Sequence, residues 1–265
     1  MVRLCNLPRL NPNATRLLIV SSESDTALEE FEAIFNSDPS LAAEVLRLAN
    51  SAEFGLRAKV TNIKFALMLL GVERTRGLAF SIALSRYPRK GRSKADTRPF
   101  WLHSIATAVI AEEMGRALRA HIPLAYTAGL THDLGRLGLL LTEGDPYMDC
   151  LKKEYRSVAE SEQFERLRFG FTHSEAGAYL AQTWHFPPVL CHCIRTHHEV
   201  VRPEEEELAR ITQAACIMAC ELGFPELPDC PVAVEVASPA AALQRHLSMP
   251  PEVLRASIDQ RMTMF

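Results

Sequence analysis

His132 and Asp133 stand side by side after Tyr126-Thr127-Ala128-Gly129-Leu130-Thr131, a run of mostly small and apolar residues, and Leu134-Gly135 follows them. An imidazole and a carboxylate in such a segment are costly to bury without partners. A transition-metal ion offsets that cost, because a neutral histidine nitrogen and an aspartate oxygen suit zinc, manganese or iron. The dipeptide alone is weak evidence, since a histidine closing a helix beside a solvated aspartate gives the same two letters. Its company strengthens it. His103 lies upstream, His173 downstream, and His197 and His198 are adjacent; with His132 they are more than half of the chain's nine histidines.

These residues must be carried by helices. Phe100-Trp101-Leu102-His103-Ser104 opens a long apolar-periodic stretch through Ile105, Val109 and Met114. Thr172 and Glu175 have the spacing of a capping box, which places His173 in the first turn of a helix. His197 and His198 end an amphipathic segment that begins at Pro187-Pro188. Histidines at the starts and ends of several helices are what a shared polar centre requires.

Strand signals are nearly absent, and helical periodicity recurs along the whole chain. Thr26 and Glu29 predict a capping box ahead of Leu28, Phe31, Ile34 and Phe35. Asp38-Pro39 predicts an N-cap with proline at the first helical position, opening a helix that buries Leu41, Val45, Leu46 and Leu48 and ends near Asn50-Ser51. Ile63 to Leu70 closes at Gly71, a left-handed C-cap, and a further helix runs from Glu73 to about Ser85. A basic loop over 86–97 marks the candidate boundary. Beyond it the pattern predicts helices around 99–119, 124–134, 147–169, 173–185, 188–198 and 205–222. A proline-spotted tail ends with Pro251 to Met262. The expected fold class is all-α, in two subdomains.

The bulk numbers bound the function. At 265 residues the chain can bury a substantial core, and 48% hydrophobic with 23% charged residues is a globular balance. No stretch approaches the ~20 apolar residues of a membrane span. The start, Met1-Val2-Arg3-Leu4-Cys5-Asn6-Leu7-Pro8, lacks a signal-peptide core, so a cytoplasmic location is expected. The seven cysteines are scattered and read as reduced, mostly buried thiols. A net charge of −3 argues against a nucleic-acid surface. The run Arg86-Tyr87-Pro88-Arg89-Lys90-Gly91-Arg92-Ser93-Lys94 is the basic exception and reads as a solvated loop. Cys191-His192-Cys193 lacks a second half for a zinc knuckle, and Trp101 and Trp184 read as core residues. The segment 62–85 is too apolar in its second helix for a DNA recognition helix.

Taken in order, these motifs resemble the HDOD domain, a relative of the HD phosphohydrolases. The N-terminal half carries Asp38-Pro39-Ser40-Leu41-Ala42, Leu46-Arg47-Leu48-Ala49-Asn50-Ser51-Ala52 and Ala66-Leu67-Met68-Leu69-Leu70-Gly71. The C-terminal half carries the His103 segment, Ala128-Gly129-Leu130-Thr131-His132-Asp133-Leu134-Gly135, His173-Ser174-Glu175-Ala176-Gly177, Trp184-His185-Phe186-Pro187 and His197-His198. The resemblance spans residues 4 to about 222. It implies an HD-like helical bundle over 98–222 preceded by a smaller N-terminal helical subdomain over about 1–90, with 223–265 as a helical tail packed on the domain. It further implies His103, His132, Asp133, His173, His197 and His198 as metal ligands, for iron, manganese or zinc. The family's last aspartate has no counterpart, because the helix in question reads Ile211-Thr212-Gln213-Ala214-Ala215-Cys216-Ile217-Met218. Cys216 is the nearest donor there and reads as a small buried hydrophobe. Arg136 stands where active relatives carry lysine and is a candidate for binding phosphate. A bacterial signalling protein that binds other signalling proteins or a small nucleotide-like ligand, without robust catalysis, is the expectation. A metal-dependent phosphohydrolase acting on a nucleotide or cyclic dinucleotide is the alternative.

Overall fold

The structure is a computed structural model that describes residues 4–7, 11–20, 26–51, 59–72, 75–76, 79, 98–119, 122–199, 206–225 and 249–262. Every described element is helical, and the chain divides into two compact units, Pro8–Pro88 and Met1–Leu7 with Arg89–Phe265.

In the unit over 8–88, four helices are described: α1 (Pro12–Ile19), α2 (Ala27–Asn36), α3 (Pro39–Ala49) and α4 (Ile63–Leu70). Asp38 caps α3 as its sequence predicts, its carboxylate accepting the Ser40 and Leu41 amides at 3.0 and 3.1 Å. The depressed pKa of Asp38 reflects those bonds and one from Asn11, which outweigh its partial burial. Asn50 donates to the Leu46 carbonyl and exchanges two 2.8 Å bonds with the Val60 backbone, tying the end of α3 to the approach of α4. The core is Phe31, Ile34, Phe35, Leu41, Val45 and Leu67.

Three local expectations need correction. Thr26 makes no capping bond to the α2 backbone; its hydroxyl donates to Glu30 at 2.7 Å. Leu46 is half-buried rather than core. Gly71 has φ +81° but ψ 142°, so it ends α4 with a positive-φ turn outside the αL well. The helix expected from Glu73 to Ser85 and the basic run at 86–94 lie mostly or wholly outside the described residues.

The other unit holds α5 (Arg98–Leu118), α6 (Ile122–Thr131), α7 (Leu134–Glu143), α8 (Asp145–Leu151), α9 (Val158–Phe169), α10 (His173–Thr183), α11 (Pro188–Thr196), α12 (Glu207–Glu221) and α13 (Pro251–Met262). The 21-residue α5 is its spine, packed against α6, α12 and α13, while α7 packs on α10 and α10 on α11. A short 3-10 turn, Leu4–Asn6, rests on α7 and α10. The segment expected at 124–134 ends early, at Thr131. His132 and Asp133 form a two-residue turn, and α7, absent from the sequence expectation, starts at once. The stretch expected at 147–169 is two helices parted by residues 152–157. The Thr172/Glu175 capping box is present in both directions, at 3.2 and 3.0 Å.

Candidate metal centre

Backbone proximity brings the histidines together. A Cβ on Gly129 would lie 2.7 Å from both the Ala108 Cα and the Thr107 carbonyl, so α6 lies directly on the α5 backbone there. That contact carries His132, one turn on, to His103. A Cβ on Gly135 would overlap the His173 carbonyl at 1.7 Å, so the start of α7 abuts the start of α10. Asp133 and His173 meet across that junction, and His197 and His198 arrive from the turn after α11. The rings form a chain of edge contacts, His103 to His132 to His197 to His173, with centroids 5.0 to 5.4 Å apart. His198 packs beside His197 and His173.

Four of these rings have a fixed tautomer, because a carbonyl or carboxylate oxygen can only accept. His103 Nδ1 donates to the Phe224 carbonyl at 2.8 Å, His132 Nδ1 to Gly129 at 2.6 Å, His197 Nδ1 to Ile194 at 2.8 Å, and His173 Nδ1 to Glu165 at 2.8 Å. In His103 and His132, which burial disfavours protonating, the Nε2 lone pair is left facing the centre. His103 Nε2 and His132 Nε2 confront each other at 3.1 Å. His173 Nε2 and His197 Nε2 point at Asp133 Oδ1 from 3.6 and 3.8 Å. Two facing lone pairs repel unless a cation lies between them. Burial pushes His103, His132 and His198 below the ordinary histidine pKa, against the pull of Asp133, so a proton is a poor candidate for that cation.

Fixing Nδ1 by a carbonyl or carboxylate and aiming Nε2 inward is how metal-binding histidines are held. Three overlapping sets have donor atoms within 4.8 Å of one another: His103, His132 and Cys216; His132, Asp133 and His197; His173, His197 and His198. All six residues predicted from sequence fall in these sets. Cys216, read from sequence as a hydrophobe, joins them, its sulfur 3.5 Å from His103 Nε2. Burial raises its thiol pKa well above the ordinary value. Cys191, His192 and Cys193 are in none of these sets.

A charged network supports the ring cluster. Arg136 is 1% exposed and turned inward; its Nε donates to both Asp133 oxygens at 3.1 and 3.0 Å and its Nη1 to Glu165 at 3.4 Å. Its guanidinium is thus spent on the protein's own carboxylates rather than offered to an external phosphate. Burial favours protonation of Asp133, but Arg136 and the histidines outweigh it and hold the carboxyl well below its usual range. Glu165 and Tyr147 went unrecognised in the sequence. Glu165 accepts the His173 amide at 2.7 Å as well as its ring, and the Tyr147 hydroxyl at 2.9 Å. Burial raises its pKa, yet the His173 and Arg136 interactions win and set it at about 2. Burial and Glu165 push the Tyr147 hydroxyl well up, so it remains a donor. Two buried carboxylates thus share one guanidinium.

The HDOD domain family matches residues 7–200. An uncharacterized protein of Treponema pallidum (strain Nichols) is 25% identical over 217 residues, 80% of this chain, which spans only 42% of that relative. An HDOD domain protein of unknown function from Geobacter sulfurreducens superposes with a TM-score of 0.75 at 22% identity, covering 97% of this chain and 90% of its own. A protein of Shewanella amazonensis SB2B provisionally named a phosphohydrolase gives 0.68 at 24% identity, over 99% and 94% of the two chains. One of Marinobacter aquaeolei VT8, provisionally named a signal transduction protein, gives 0.70 at 22%, over 96% of this chain and 56% of that one. At these identities the likeness establishes the fold.

Proposed function

This chain belongs to the HDOD family, and from that premise we propose that it is a cytosolic regulatory module whose polar centre binds one transition-metal ion and does not turn over phosphoesters. Its output is binding, to other signalling proteins or to a small nucleotide-like ligand. The observation that carries this reading is closure. His103, His132 and His173 are 0% exposed, His197 2% and Asp133 6%, with His198 partly exposed, which leaves a phosphoryl group little approach to an ion held among them. Charge supports it. A pair of dications needs several anionic ligands, and the carboxylate facing the rings, Asp133, already shares both oxygens with Arg136. The residues that would hold the ion are His103, His132, Asp133, His173, His197 and His198. A metal there supplies Lewis acidity in an open site; in this closed one it neutralises converging lone pairs and braces the helices that carry them. The described cysteines are all free, which suits a reducing compartment. No described helix is long and apolar enough to cross a membrane. The signalling name of the Marinobacter neighbour fits this reading.

A metal-dependent phosphohydrolase is the second reading, favoured by the convergence of Nε2 atoms and by the name of the Shewanella neighbour. Phosphomonoesters, phosphodiesters and cyclic dinucleotides should all survive incubation with protein loaded with manganese or iron. Turnover that disappears in His132→Ala establishes the enzyme instead. Calorimetry with cyclic di-GMP and common nucleotides then identifies which class of ligand, if any, the module binds.

A further inference from the structure

We propose that Cys216 is a metal ligand, its sulfur completing a pocket with His103 and His132 that selects a thiophilic cation such as zinc or cobalt(II). This rests on the metal reading above and specifies which atoms hold the ion. The three residues come from three segments: His103 from α5, His132 from the turn before α7, and Cys216 from α12. They are 0%, 0% and 3% exposed. Their donor atoms form one of the three sets that converge within 4.8 Å. Cys216 Sγ lies 3.5 Å from His103 Nε2, and the same nitrogen faces His132 Nε2 at 3.1 Å. Because both Nδ1 atoms are committed to carbonyls, sulfur and two nitrogens all turn electron pairs toward one small volume.

The other buried cysteines meet hydroxyl or carbonyl oxygens, Cys150 the Tyr155 hydroxyl and Cys191 the Phe186 carbonyl, whereas the Cys216 sulfur faces an imidazole nitrogen. Thr212, one turn earlier on α12, returns its hydroxyl to its own helix at the Leu208 carbonyl and leaves the cluster to Cys216. Among first-row ions, a sulfur with two imidazoles suits zinc and disfavours manganese and magnesium, which prefer oxygen. Binding replaces the thiol proton, which passes to solvent, and a thiolate–metal bond forms with no change of oxidation state.

The full chain, stripped with chelator and reloaded with cobalt(II), tests this by absorption and metal content. We expect stoichiometric cobalt with a near-ultraviolet thiolate-to-cobalt charge-transfer band. In Cys216→Ser, which keeps the size of the side chain, that band should vanish while zinc affinity falls at least about tenfold. Cys216→Asp should lack the band and shift preference from zinc towards manganese. Circular dichroism melts of both variants establish that they fold. Bound cobalt without the band, or a band that persists in folded Cys216→Ser, overturns the role of Cys216 and leaves the metal reading standing. A chain that binds no cobalt, zinc, iron or manganese overturns both.

Discussion

Arg136 shows how a single side chain can set the charge of a centre by binding the carboxylates that support it. It lies fully buried between Asp133 and Glu165, so its loss strands two carboxylates in a dry interior. Breaking such an arrangement from one side costs about 3–5 kcal/mol. Arg136→Met, which keeps most of the volume, should lower unfolding free energy by that amount in urea titrations, and a loss below about 1 kcal/mol would mean water reaches the pair. Titration offers a second test. His103, His132 and His198 are held below the ordinary value of 6.5. As pH falls below 6.5 the unfolded chain takes up protons that the folded one refuses, so stability declines by up to about 1.4 kcal/mol per pH unit for each ring. Glu165, at about 2 against 4.5, contributes stability that is whole above 4.5 and is lost towards 2. Chelator-treated protein should therefore lose urea resistance as pH falls below about 6.5, through the rings, and more steeply below about pH 4.5, as the carboxylates join. A midpoint unchanged across the first window contradicts sealed neutral imidazoles. At this scale the six residues that converge were legible because their letters are rare and their flanks regular. Glu165 was not, because it sits in Glu160, Glu162, Arg166 and Arg168 and only folding distinguishes the one acid that turns inward.

Helix contacts at the centre depend on Gly129 and Gly135. Gly135 lets α7 and α10 touch backbone to backbone, and any side chain there must separate them. Gly135→Ala should cost about 3 kcal/mol or more, at or beyond the usual range for overpacking. Gly170, which ends α9 at φ +87° in open space, should cost only about 1–2 kcal/mol as alanine, through backbone strain alone. Thermal melts of the two variants compare close approach with local strain directly, and equal losses would refute the contact. The same residue explains the missed helix. Leu134-Gly135-Arg136-Leu137-Gly138 carries two poor helix formers and a buried charge in five residues, so neither propensity nor periodicity announces α7. The capping boxes show the limit from the other side. Thr172 accepts the Glu175 amide and Glu175 the Thr172 amide, whereas Thr26 turns its hydroxyl to Glu30 and accepts no amide of its helix. Spacing proposes a cap, and the neighbours decide whether it forms.

Across the whole molecule, the all-helical class was readable from periodicity, while the return of Leu4–Asn6 to α7 and α10 carries no local signal, being a long-range contact of a short segment. The donors of the centre belong to α5, the α6–α7 turn, α10, the α11 turn and α12, so most of the Arg89–Phe265 unit converges on one point. The enclosure of that point has a kinetic consequence. An ion held as proposed, where His103, His132, His173, His197 and Asp133 are 0 to 6% exposed and His198 is partly exposed, would escape chiefly when the helices around it part, so its departure rate would be a rate of local unfolding. Raising the concentration of an external chelator should then saturate, with metal loss levelling off at a value that mild urea increases. Loss that keeps rising in proportion to chelator would mean direct access. A protein with this property would exchange its cation slowly, so its occupancy would be a record of past supply rather than a gauge of the present one.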